Sequence, residues 1–107
     1  MANICENTLY ACSETAEDIE LLSKFIEDNF SCSTVEVNYH SYSDGTQEAY
    51  LDAYFDSRWD FPQYKLEEIT NKFKDKDAMY IRCLSVEYGN DYVSYNKFTD
   101  SEWIQLV

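Results

Sequence analysis

Carboxylates and phenols alternate along Glu48, Tyr50, Asp52, Tyr54 and Asp56, with Ala49, Leu51, Ala53 and Phe55 filling the gaps. An extended strand sends successive side chains to opposite faces. One face is therefore apolar and the other is a row of acids and tyrosines. Acids held on a rigid strand can exchange protons, hold a cation or meet a basic protein. Paired acid–base catalysis fits worst. Four residues of strand put Asp52 and Asp56 roughly 13 Å apart, wider than the about 5–9.5 Å used by glycosidases. Binding fits best, because Tyr combines apolar area with a hydrogen-bonding tip.

The remaining reactive residues do not assemble into a catalytic set. His40 is the single histidine, which excludes a multi-His metal site within one copy, and local sequence sets no cysteine beside it to form a Cys-His pair. Cys5, Cys12, Cys32 and Cys83 contain no CxxC pair. Cys12 precedes a helix, whose N-terminus favours thiolate, but Glu14, Glu17 and Asp18 act against it. All four are expected as reduced, inert thiols without zinc. Asp44-Gly45-Thr46-Gln47-Glu48 lacks the ligand series of a calcium loop and reads as a turn. No phosphate loop or dinucleotide fingerprint is present. The expectation is a protein that is not an enzyme and uses no cofactor or metal.

Composition narrows the partner. The chain of 107 residues suits one domain spanning 1–107, and 45% hydrophobic content is enough for one core. A net charge of −13 argues against direct binding to nucleic acid or an anionic membrane. It favours a basic protein partner, a cation, or simple solubility. The charge is uneven: residues 1–57 hold twelve acids and one base, Lys24, whereas 58–107 hold nine acids and seven bases. No basic and apolar leader opens the chain and no stretch is long enough to span a membrane, so a cytoplasmic location is expected.

The elements that must position the acid–tyrosine row follow from periodicity. Residues 3–11 read as a strand with Cys5, Leu9 and Ala11 inward. Thr15-Ala16-Glu17-Asp18 fits a capping box, and Ile19, Leu22, Ile26 and Phe30 form the stripe of a helix reaching about Phe30. Val35 to His40 alternate as a second strand. Asp44-Gly45 then predicts a hairpin into the acid–tyrosine strand. A second helix starts near Pro62, with Leu66, Ile69 and Phe73 inward and Lys72, Lys74 and Lys76 at its C-terminal end. Met79 to Tyr88 and Tyr92 to Phe98 read as a further hairpin. Thr99-Asp100-Ser101-Glu102 is a second capping-box pattern, expected to start one helical turn that docks Trp103, Ile104 and Leu106. Trp59 and Trp103 are both expected to pack as anchors.

The resulting fold class is α+β, ferredoxin-like, in the order β-α-β-β-α-β-β. A mainly antiparallel sheet carries two helices on one face. The other face is open. It should present Glu48, Tyr50, Asp52, Tyr54 and Asp56, with Glu36 and Tyr42 nearby.

Three short segments carry a resemblance. Asn3-Ile4-Cys5-Glu6-Asn7-Thr8-Leu9 resembles the Asn-x-Cys-x-Asn-x-Leu opening of the YubB-like ferredoxin-like domain family. Phe55 to Pro62 and Glu87-Tyr88-Gly89 resemble two further segments of that family, in matching order. Ile4 stands where the family usually has Trp, and a single Pro follows Trp59. The family comprises small proteins of uncharacterised function, often carried by plasmids and phages. The resemblance implies a fold and a mobile-element origin but no catalytic residues.

The functional expectation is a small acidic binding protein. Glu36, Tyr42, Glu48, Tyr50, Asp52, Tyr54 and Asp56 would form the partner-binding set, engaging a basic protein surface. The boldest form is a nucleic-acid mimic. The alternatives are a homo-oligomer assembled through an edge strand and a small enzyme using an acid or thiol.

Overall fold

A computed structural model describes residues 4–107. Asn3, expected to open the first strand and the first resembling segment, lies outside the described residues. The strands are β1 (Ile4–Ser13), β2 (Ser31–Ser41), β3 (Gln47–Arg58), β4 (Met79–Glu87), β5 (Tyr92–Thr99) and β6 (Glu102–Gln105). The α-helices are α1 (Ala16–Asn29) and α2 (Gln63–Thr70). The strands form one sheet in the order β2-β3-β1-β4-β5-β6, and every neighbouring pair is antiparallel.

Period-two burial decides which face is dry. Leu9 pairs with Ala53 and Cys83, and Ala11 with Leu51 and Ile81, so one row of apolar residues crosses three strands. Ile19, Leu22 and Ile26 of α1 join Leu66 and Ile69 of α2 in the same buried cluster as Leu51, Phe55 and Ile81. Both helices therefore cover the same sheet face. Phe30 extends that cluster by stacking on Phe55 at 4.4 Å between ring centres.

Thr15 occupies the N-cap of α1 but makes no side-chain capping bond. Asp18, the acid of the expected capping box, turns elsewhere. It is 2% exposed and accepts hydrogen bonds from the backbone N–H groups of Lys74 and Asp75, at 2.8 and 2.9 Å. A charged acceptor thus pins the segment after α2 to the start of α1. A carboxylate that accepts two backbone N–H groups is strongly held.

Polar residues on the inner face are also paired. Asn7 donates to the Phe55 carbonyl at 3.2 Å and to Ser57 Oγ at 2.9 Å, while its own oxygen accepts from Ser85 Oγ at 2.7 Å. Among the described residues no buried side-chain N or O lacks a partner. This network locks β3, β1 and β4 into one register.

Several expectations need correction. The order is not β-α-β-β-α-β-β: Thr99-Asp100-Ser101-Glu102 starts no helical turn but reverses the chain into β6. Thr99 pairs directly with Glu102, and Asp100 and Ser101 have φ of 52° and 64°. Positive φ at both central positions marks a two-residue hairpin of the type I′ kind, and Asp tolerates it better than most residues. The strand sends Trp103 inward, 5.4 Å from Phe61 and 5.5 Å from Phe98 between ring centres. The second helix ends at Thr70, so Lys72, Lys74 and Lys76 lie beyond it. Phe73 is still buried. Finally, Trp59 does not close the core. It is 53% exposed with φ of 71°, and Asp60 N–H bonds to the Arg58 carbonyl across it at 2.8 Å. This is a γ-turn of the strained hand, and it swings the indole outward.

Leu51→Ala should cost about 2–5 kcal/mol in urea unfolding, because a fully buried side chain is removed from the cluster. Trp59→Gly should leave stability unchanged or raise it by up to about 1 kcal/mol, since Gly adopts positive φ without strain. A loss of several kcal/mol would instead make Trp59 a packing anchor. Asp18→Ala should cost about 1.5–3 kcal/mol by the same measurement, the range for hydrogen bonds to a charged group.

Candidate functional site: the open sheet face

The face away from the helices is built from the alternate residues of every strand. β3 contributes Glu48, Tyr50, Asp52, Tyr54 and Asp56, as the alternation predicts. Asp52 and Tyr54 are exposed, and Glu48, Tyr50 and Asp56 are half-buried. Glu36 of β2 lies directly beside Asp52. Tyr42, in the β2–β3 turn, meets Tyr50 hydroxyl to hydroxyl at 2.8 Å. The seven residues singled out from sequence therefore share one surface.

Two pairs on that surface oppose like charges. Glu36 faces Asp52, and Glu6 of β1 faces Asp56. Acids directly opposite one another across antiparallel strands destabilise the sheet. The Tyr50 phenol stays neutral beside these acids: it is pushed well above the usual range, first by the hydrogen bond with Tyr42 and then by the one with Glu48.

Sequence reasoning missed the other half of the face. The row that begins Glu36–Asp52 continues through Tyr10 of β1, Arg82 of β4 and Lys97 of β5. Charge thus runs from acidic to basic across the strands. The Arg82 guanidinium sits over the Tyr10 ring, 4.6 Å from its centre. Tyr10 lies 6.4 Å from Tyr50 and 6.5 Å from Tyr80, which makes a band of rings across β3, β1 and β4. Burial among them pushes the Tyr10 phenol up to about 12. The signal for Tyr10 was present in β1. Glu6, Thr8, Tyr10 and Cys12 are the complement of the inward Cys5, Asn7, Leu9 and Ala11.

Beside the charged row lies a hollow of about 550 Å³. Tyr54, Leu84, Val93, Tyr95 and Val107 line its apolar part, and Asp52 and Arg82 stand at its charged margins. Leu84 is 42% exposed and Val93 52%. Apolar side chains left open together on one face mark a contact surface more often than scattered ones do.

The reactive groups elsewhere are restrained. All four cysteines are free; Cys5 and Cys83 are buried, Cys12 is half-buried and Cys32 is exposed. Burial pushes the Cys83 thiol up to about 12. Burial also raises Cys5, with Asp60, Glu87 and Asp56 adding to it against a hydrogen bond from Ser57. Cys12 is raised chiefly by burial, and the acid that acts on it is Glu48 rather than Glu14, Glu17 or Asp18. Cys32 is raised by its hydrogen bond with Asp56. Thiols held protonated are poor nucleophiles. His40 stacks edge-on against Tyr42, 4.5 Å between ring centres, and is exposed. Asp44 accepts both the N–H and the hydroxyl of Thr46, and the hydroxyl contact is the larger cause holding its carboxyl below the usual range. Among the described residues, no three His, Cys, Asp or Glu side chains converge as a metal site. No helix there is long and apolar enough to cross a membrane.

A disulfide-exchange reagent at pH 7.5 should label Cys32 in native protein and Cys12 more slowly, and leave Cys5 and Cys83 untouched. Unfolding should release all four. Rapid native labelling of Cys5 or Cys83 would contradict the burial that raises their pKa.

Comparison with protein-family models, curated proteins and solved structures returns no match.

Proposed function

We propose that this chain is a non-enzymatic binding protein that engages a basic protein surface through its open sheet face. The observation that carries this reading is the pair of like-charge contacts, Glu36–Asp52 and Glu6–Asp56, beside an exposed apolar hollow. Each contact opposes folding of the isolated chain and is relieved when a cation arrives. The hollow supplies area that a partner's apolar side chain can fill. Association with a basic partner would be hastened by the net charge and slowed by salt. The sharper form, imitation of a nucleic-acid backbone, draws on the carboxylates of β2 and β3. Arg82 and Lys97 on the same face favour a protein surface of mixed character over a simple polyanion reader.

The fold reading that accompanies this function is ferredoxin-like. Its support is the order β2-β3-β1-β4: β3 lies between β1 and β2, which α1 connects, and β1 lies between β3 and β4, which α2 connects. These are two interlocked split βαβ units, with β5 and β6 added at one side. Parts of the three resembling segments also come together in the fold. Asn7, Ser57 and Asp60 come from two resembling segments and meet through hydrogen bonds. Glu87, from the third, acts on Cys5.

A second reading is a homodimer through the same face. The row from Glu36 to Lys97 changes sign near the β1–β4 boundary. A two-fold axis along that boundary would set the acids of one copy against the cations of the other.

Asp52→Asn separates a working face from a solvated one. It should stabilise the free chain by about 0.2–1 kcal/mol, the range for relieving a cross-strand like-charge pair. In Asp52→Asn/Asp56→Asn the association rate with a basic partner should fall and its salt dependence should flatten. Tyr54→Ala should mainly raise the dissociation rate. Unchanged kinetics in both variants would reduce the row to sheet surface. Sedimentation showing a dimer that Lys97→Glu disrupts would favour the homodimer.

A further inference from the structure

The two edges of the sheet are finished differently. β6 is four residues long, whereas β2 runs for 11 and pairs only with β3. Among the described residues, no hydrogen bond other than that ladder reaches the backbone of Ser31–Ser41. An open edge is a template for another strand, and proteins commonly blunt one with Lys, Pro or a bulge. From Thr34 to Ser41 there is no Lys and no Pro. The bulge lies at the far end, between Ser31 and Thr34, where Cys32 has φ of 54°. Thr34, Val35, Val37 and Tyr39 all favour extended backbone.

The flanks of this edge select its occupant. On the helix side a groove of about 350 Å³ runs between α1 and β2, lined by Val37, Ser23, Glu20, Lys24, Glu27 and Asp28. Lys24 lies 3.5 Å from Asp28, and Glu20 accepts the Tyr39 hydroxyl at 2.9 Å. Glu27 takes no part in those contacts. On the open side stands Glu36, which accepts from Asn38. Four carboxylates thus border the edge against one ammonium. A second β2 would bring the same excess of negative charge and be repelled. A cationic strand would be attracted. The long stem of Arg or Lys suits Val37, with its charged head among the acids of α1.

We propose that the outer edge of β2 accepts an extended basic segment of a partner protein as an added strand, with an Arg or Lys side chain lying over Val37 in the groove beside α1. The proposal rests on the reading that the partner is basic, and it adds a mode of engagement distinct from the open face. Main-chain bonds supply affinity and the alternate side chains supply selectivity.

The test uses a fluorescein-labelled heptapeptide of alternating Arg and Thr, at low salt, with anisotropy as readout. In an added strand only one alternate set of backbone groups faces β2. Methylating the nitrogens of one set should therefore weaken binding at least about tenfold, because several ladder bonds are lost together, while methylating the other set changes it little. A peptide with Glu in place of Arg should not bind, and Glu27→Gln should weaken the parent peptide a few-fold. Amide exchange should slow within Thr34–Ser41 of the bound protein. Absence of binding by the parent peptide overturns the proposal. So does equal binding by both methylated peptides; if Asp52→Asn then abolishes that binding, the open face stands and the edge does not. Loss confined to one methylated set, with Asp52→Asn/Asp56→Asn unchanged, supports the edge and removes the open face from this interaction. A self-associated dimer that the peptide fails to dissociate also overturns it.

Discussion

A pleated strand cannot turn one side chain in without turning the next one out, and β3 is where that constraint organises the molecule. Leu51, Ala53 and Phe55 are driven under the helices by the loss of apolar contact with water. Tyr50, Asp52, Tyr54 and Asp56 are then carried to the opposite face whatever their own preferences. A slip of one residue would bury Asp52 and expose Leu51, so the register is held by the full cost of that exchange. The like-charge contacts Glu36–Asp52 and Glu6–Asp56 survive for this reason. The repulsion within each pair is small beside the burial that fixes its position.

The buried polar residues do different work. Asn7 links β3, β1 and β4 at the end of the sheet where the apolar residues of α1 and α2 give out. Asp18 does the same between the start of α1 and the segment after α2. Neither adds much apolar burial. Each is nonetheless costly to remove, because its partners would be left unpaired in a dry interior. Asn7 thus fixes strand register, and Asp18 ties the start of α1 to the segment after α2.

Periodicity made some of this legible from sequence and hid the rest. α1 and β3 were readable because each carries a long, clean repeat against a single environment. Thr99-Asp100-Ser101-Glu102 was ambiguous in a physical sense. The same residues suit an N-cap and a hairpin with positive φ, and the choice is made by Trp103, which reaches Phe61 and Phe98 only from a strand. Trp59 misled because size usually predicts burial, whereas here the backbone at φ 71° directs the ring. On the open face, strands read singly yield the acids of β2 and β3. Arg82 and Lys97 join them only through cross-strand register, a long-range property that local patterns do not encode.

The arrangement of charge ties the two proposed surfaces together. The acids concentrate on α1 and β3, with Glu36 alone on β2, while Arg82 and Lys97 lie on β4 and β5. Glu20, Glu27, Asp28 and Glu36 border the β2 edge, which pairs with β3 on one side only among the described residues. Under the proposed reading, a basic partner would meet the edge and the adjoining margin of the open face before the apolar hollow. Screening by salt would weaken this approach, because the acids that create it are largely exposed. Contact in the hollow, once made, is apolar and would be much less sensitive to salt. Under the proposed reading, approach and retention would fall to different parts of one surface, and on β3 the alternation that puts Leu51 inside and Asp52 outside is what separates the apolar core from the acids.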